Sequence, residues 1–138
     1  MMTVVSELIC AEADGSISFG NYELDTKTKV SDFEHEGNIY KVKTFKDITK
    51  LERNDMFVYE SVPGTVVSHF TTNEDGISFA VAGVEDAQIT VELEADTEYE
   101  IQINGNMVDC QKTNLGGKLS MSVELAGVDC VDVSVAKK

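Results

Sequence analysis

Leu93-Glu94-Ala95-Asp96-Thr97-Glu98-Tyr99-Glu100-Ile101-Gln102-Ile103-Asn104-Gly105 is the stretch whose reading decides the fold class. A turn-prone segment, Glu94 to Thr97, leads into Tyr99-x-Ile101-x-Ile103, where apolar residues alternate with polar ones. That period of two fits a strand with one buried face, and Asn-Gly is a strong hairpin turn. The tyrosine stands at the strand's first position, where the chain is expected to swing from one sheet to another.

The same grammar extends outward. Strands are expected over Val4 to Ala11, Ser16 to Phe19, Ile39 to Phe45, Ile48 to Leu51, Met56 to Glu60 and Thr65 to Phe70. They continue with Ile77 to Val81, Ile89 to Leu93, Tyr99 to Ile103, Met107 to Lys112, Lys118 to Leu125 and Val128 to Val135. Glu52-Arg53-Asn54-Asp55 is read as a hairpin loop, and the polar run Asp25 to Asp32 as a longer loop. No segment carries a sustained 3.6-residue apolar stripe. About eleven strands with short turns read as an all-β antiparallel sandwich. The strands after residue 56 suffice for an immunoglobulin-like sandwich. Residues 1–55 are expected to form a small β-subdomain packed on it, or extra strands of one continuous sandwich.

Composition bounds the function. The chain has 138 residues and is 42% hydrophobic, enough for a core without metal or disulfide staples. Its 25 acidic residues outnumber 11 basic ones, for a net charge of −14. Such a field repels nucleic acid and anionic membranes, so neither is an expected partner. No apolar run approaches the ~20 residues of a membrane-spanning helix. Cys10, Cys110 and Cys130 follow no disulfide or metal spacing, and the first residues lack a secretory pattern. The expected location is the cytoplasm.

No catalytic, metal or cofactor motif stands out. His35 and His69 are the only histidines, and His69 is the single candidate partner for a Cys10 or Cys110 thiol. Acids alternate with apolar residues, as in Val91-Glu92-Leu93-Glu94, which places them on solvated strand faces. Gly116-Gly117-Lys118 lacks the rest of a phosphate-binding loop, and Asn73-Glu74-Asp75-Gly76 lacks the rest of a calcium loop. No cofactor and no catalytic residue are expected.

The charge distribution is the non-random feature that remains. Residues 41–53 hold Lys41, Lys43, Lys46, Lys50 and Arg53 against Asp47 and Glu52, net +3 in an acidic chain. One reading is a binding patch for an acidic partner, including the acidic face of another copy. The other is edge protection, in which lysines on an exposed strand block unwanted sheet pairing.

Leu93, Thr97, Tyr99 and Ile101 resemble the tyrosine-corner signature of fibronectin type III and related immunoglobulin-like domains, with Ala95 where proline is usual. The resemblance implies a structural role for Leu93 and Tyr99, with the Tyr99 hydroxyl bonded to backbone just upstream. The order Tyr99 to Gly105, Thr113 to Val123, Val131 to Val135 is similar to accessory β-sandwich modules of bacterial carbohydrate-active enzymes. That likeness implies carbohydrate binding, with Tyr22, Tyr40, Phe57 and Tyr59 as candidate ring platforms. The whole chain, with Glu60-Ser61-Val62-Pro63-Gly64-Thr65, resembles short bacterial β-sandwich proteins, some of which carry the label endosialidase. Sialidase chemistry clamps a carboxylate with several arginines, and this chain has one, Arg53. The reading reached is a non-catalytic sandwich acting through protein contacts or self-association. A carbohydrate-binding module is the alternative.

Overall fold

In the computed structural model, which describes residues 3–138, thirteen strands form two antiparallel sheets and the described residues hold no helix. In chain order they are β1 (Ile9–Ala11), β2 (Ile17–Phe19), β3 (Thr28–His35), β4 (Asn38–Phe45), β5 (Ile48–Arg53), β6 (Met56–Val62) and β7 (Val66–Asn73). Then follow β8 (Gly76–Ala82), β9 (Ala87–Glu92), β10 (Glu98–Ile103), β11 (Asn106–Lys112), β12 (Lys118–Val123) and β13 (Val131–Lys137). One sheet has seven strands in the order β1-β2-β7-β8-β13-β10-β11; the other has six, β12-β9-β6-β5-β4-β3. The all-β sandwich read from the alternating pattern is what the chain forms.

The core lies between the sheets because side chains two apart share a face. Val131, Val133 and Val135 of β13, Ile89 and Val91 of β9, and Leu119, Met121 and Val123 of β12 all point inward and are buried. At the centre the Phe19 and Tyr59 rings meet edge-on at 5.3 Å, and Phe70 and Phe79 stack at 5.8 Å. Edge-to-face and offset contacts of this kind add to the area term. The buried cluster takes side chains from both stretches of the chain, Leu8 through Leu51 and Val58 through Val135.

Residues 1–55 supply β1 and β2 to the seven-stranded sheet and β3 to β5 to the six-stranded one. The division expected between residues 55 and 56 falls in the β5–β6 hairpin, where Thr49 to Arg53 pair with Ser61 to Met56. The loop there is tighter than the four residues expected: Arg53 is the last residue of β5, and only Asn54 and Asp55 turn. Both have positive φ, 52° and 65°, the conformation a two-residue hairpin of matching twist requires.

Two further readings differ from the structure: the first strand, expected over Val4 to Ala11, is strand only over Ile9–Ala11, and one polar run is not a loop. Asp25 to Asp32, expected as a loop, is largely strand: β3 begins at Thr28 and pairs with β4. It looks polar because it is the sheet's edge, exposed along most of its length. Its alternation is also broken by a bulge between Val30 and Phe33, where Asp32 has φ 62°.

A buried polar network ties the layers together near β5 and β6. Thr65 Oγ1 lies 2.9 Å from the Tyr59 hydroxyl and 2.8 Å from Ser61 Oγ. Thr49 Oγ1 donates to Thr65 O at 2.9 Å, and Thr65 N donates back to Thr49 Oγ1 at 3.0 Å. Thr44, Thr49, Tyr59, Ser61 and Thr65 have no exposed surface. Burial pushes the Tyr59 phenol far above its usual range, so it stays protonated.

Candidate functional surface

The outer face of the six-stranded sheet collects the lysines. Tyr40, Val42 and Thr44 of β4 are buried, so Lys41 and Lys43 between them face out. Thr49 and Leu51 of β5 are buried, so Lys50 faces out as well. The ladder sets Lys43 opposite Lys50, and on its other side opposite Lys29 of β3. Three lysines therefore line up across three neighbouring strands. Beyond them Lys50 stands opposite Glu60, and Lys41 opposite Glu52. Among the described residues Lys29, Lys41, Lys43 and Lys50 make no ion pair; the lysines that do are Lys46, Lys112 and Lys137.

Two features extend this row. The Lys118 ammonium of β12 lies 4.6 Å from the centre of the Phe57 ring on β6, with Lys50 on the same ring at 6.0 Å. Val62, outward on β6 next to buried Ser61, is half exposed. The face thus carries a cationic row with apolar surface beside it.

The structure splits the basic strip read from the sequence. Lys41, Lys43 and Lys50 come together. Lys46 sits in the β4–β5 turn, 3.9 Å from the Asp25 carboxylate. Arg53 is in phase with Thr49 and Leu51, so it projects to the opposite side, where its guanidinium donates to Thr72 Oγ1 of β7 at 3.4 Å. Lys29 and Lys118 were missed, because only the strand pairing brings them to the row. Edge protection accounts for Lys29 and Lys118, on the edge strands β3 and β12, but not for Lys41, Lys43 and Lys50, on β4 and β5 inside the sheet.

At the corner that opens the sequence reading, the chain leaves β9 in one sheet and enters β10 in the other. Tyr99 is buried, and its hydroxyl accepts from Glu94 N at 3.2 Å. Leu93 N donates to Gly117 O at 2.7 Å, and Thr113 Oγ1 donates to Glu94 O at 2.6 Å. The loop that includes Gly116-Gly117-Lys118 is therefore bound to the corner. A Cβ on Gly117 would stand 2.2 Å from Leu93 O.

The remaining candidates separate clearly. Tyr40 and Tyr59 are core residues and present no ring to solvent. Asn73 Oδ1 accepts from Asp75 N and Gly76 N, so its oxygen is spent inside its own turn. Among the described residues no three His, Cys, Asp or Glu side chains converge as metal ligands.

His69 is bonded to carboxylate and hydroxyl rather than thiol. Its Nδ1 lies 3.1 Å from Asp14 Oδ2 and 3.2 Å from Ser16 Oγ, while Nε2 lies 3.9 Å from Glu12. A serine–histidine–aspartate relay needs serine and aspartate on opposite ring nitrogens. Here both meet Nδ1, and Ser16 Oγ donates to Asp14. Two hydrogen bonds from Ser16, with a smaller effect of His69, hold the Asp14 carboxyl down at about 2. Burial and the Glu12 and Glu7 charges push the Cys10 thiol up, away from the reactive thiolate.

Comparison with protein-family models, with curated proteins and with solved structures finds no match to the chain.

Proposed function

We propose that the protein is a non-catalytic binding module that engages an acidic protein partner through the outer face of its six-stranded sheet. The observation that carries this reading is the row Lys29, Lys43, Lys50 across β3, β4 and β5. Like charges directly opposite one another destabilise a sheet. Lys43 and Lys50 occupy interior strands, where no edge needs guarding, in a chain of net charge −14. An acidic partner relieves the repulsion in the complex and is guided to the row by its field. The half-exposed Val62 and the Phe57–Lys118 pair supply apolar contact beside the charges. The free thiols of Cys10, Cys110 and Cys130 support working in a reducing compartment such as the cytoplasm.

The test is affinity capture from the native cell extract at low salt, comparing the natural chain with a Lys41→Glu, Lys43→Glu, Lys50→Glu variant. The reading expects a specific acidic protein on the natural chain and its loss on the variant and in high salt. Identical captured sets would reject it.

A further inference from the structure

Arg53, which the strand phase separates from the lysine row, lines a cavity of about 560 Å³ between the ends of the two sheets. That volume suits a small ligand. Arg53 lines it from β5, Val58 from β6, Thr72 from β7 and Tyr99 from the start of β10, with Asn38 at the mouth. We propose that this cavity binds a small polar carboxylate, held by the Arg53 guanidinium, with the Asn38 amide and the Tyr99 hydroxyl bonding the rest of the molecule.

Three observations carry the assignment. First, Arg53 is the only arginine of the chain and makes no ion pair among the described residues, although 25 acids surround it in the sequence. Its one side-chain bond is the long one to Thr72, which leaves most of a planar five-donor fork free. That fork fits a carboxylate in two parallel bonds, a geometry a lysine does not offer.

Second, Tyr99 is buried and its hydroxyl accepts from Glu94 N, while its own proton has no acceptor among the described residues. A hydroxyl that accepts one bond can still donate another, to a ligand oxygen at the cavity wall. Asn38 is only half-buried: its Oδ1 accepts from Asn54 Nδ2 at 2.9 Å, and its amide hydrogens are open to a ligand or solvent.

Third, of the three acids that share the cavity, Glu74, Glu92 and Glu94, two stand beside lysines. Glu94 is paired with Lys137 at 2.7 Å, and Glu92 stands opposite Lys118 in the β9–β12 ladder. Beside Arg53 the Asn38 amide and the Tyr99 hydroxyl have hydrogens to give, which favours a ligand rich in acceptors, seated away from the Glu74 carboxylate. Two kinds of molecule share that chemistry: a sugar-derived acid and the C-terminal carboxylate of a peptide.

Nuclear magnetic resonance titration of the whole chain, following backbone amides and the Arg53 Nε–Hε signal, tests this. The probes are gluconate, N-acetylglycine and the uncharged polyol sorbitol. The expected result is that one of the acids, but not sorbitol, shifts Arg53 and the amides of Asn38 and Tyr99. Gluconate alone would assign a sugar acid, and N-acetylglycine alone a peptide end. Arg53→Gln should weaken that binding about tenfold or more, and Arg53→Lys should restore it only in part. Lys43→Glu with Lys50→Glu should leave it unchanged, which separates this site from the partner face. No shift with either acid, equal binding of sorbitol, or undiminished binding to Arg53→Gln would overturn the proposal.

Discussion

Lys43 on β4 stands directly opposite Lys50 on β5, and both strands lie inside the six-stranded sheet. Neither ammonium is paired with a carboxylate among the described residues. A central strand pair that only had to be stable would carry threonines or an opposite-charge pair here. The relationship therefore marks a place where the sequence gives up stability, as binding surfaces do.

Removing one of the two charges should stabilise the fold. Lys43→Thr keeps a good strand former and ends the repulsion on both sides, from Lys29 and from Lys50. The expected gain is about 0.2–1 kcal/mol, read from the denaturant midpoint at low salt. It should shrink as salt is added, because these side chains reach solvent. A loss of stability would mean that the lysines are held by contacts within the fold.

Thr65 should be among the least tolerant positions. Its hydroxyl is the shared partner of Tyr59 and Ser61, all three fully buried. Thr65→Val keeps the shape and leaves both partners short of a bond, at a cost of about 2 kcal/mol or more. Tyr59→Phe removes one donor instead and should cost about 1 kcal/mol. Chemical denaturation of the two variants checks both the sizes and their order.

Asp14 gives the acid response a sign. Its carboxyl falls from the ordinary 3.8 to about 2 in the fold, mainly through Ser16. A carboxyl lowered by folding favours the folded state fully above pH about 4. That contribution is lost as pH falls from there through about 2. Carboxyl carbon resonances should show Asp14 titrating near the lower value, and Ser16→Ala should move the midpoint up. An unmoved midpoint would remove Ser16 as the cause.

The fold was legible where alternation is clean. The strand from Tyr99 to Ile103 and the valines of β13 announce themselves, since each buries every second residue between two sheets. β3 was not legible: an edge strand with a bulge exposes too much of itself to show a period. The surface was half legible. Lys41, Lys43 and Lys50 lie close in sequence, but Lys29 and Lys118 join them through pairing that no local pattern encodes. Arg53 falls with the lysines in the basic run 41–53, and Glu52 to Asp55 reads as a four-residue loop where the structure turns on two. That hid the phase placing it with Thr49 and Leu51. Whether β4 and β5 were edge or interior also depended on distant strands, and on that point rests the case for a binding face.

The most direct test of that face is a nuclear magnetic resonance titration of the natural chain with an oligoglutamate peptide at low salt. The account predicts shifts gathered on Lys29, Lys41, Lys43, Lys50 and Lys118, fading as salt rises and abolished by Lys43→Glu with Lys50→Glu. Shifts that fall elsewhere, or that survive the double substitution, would contradict it.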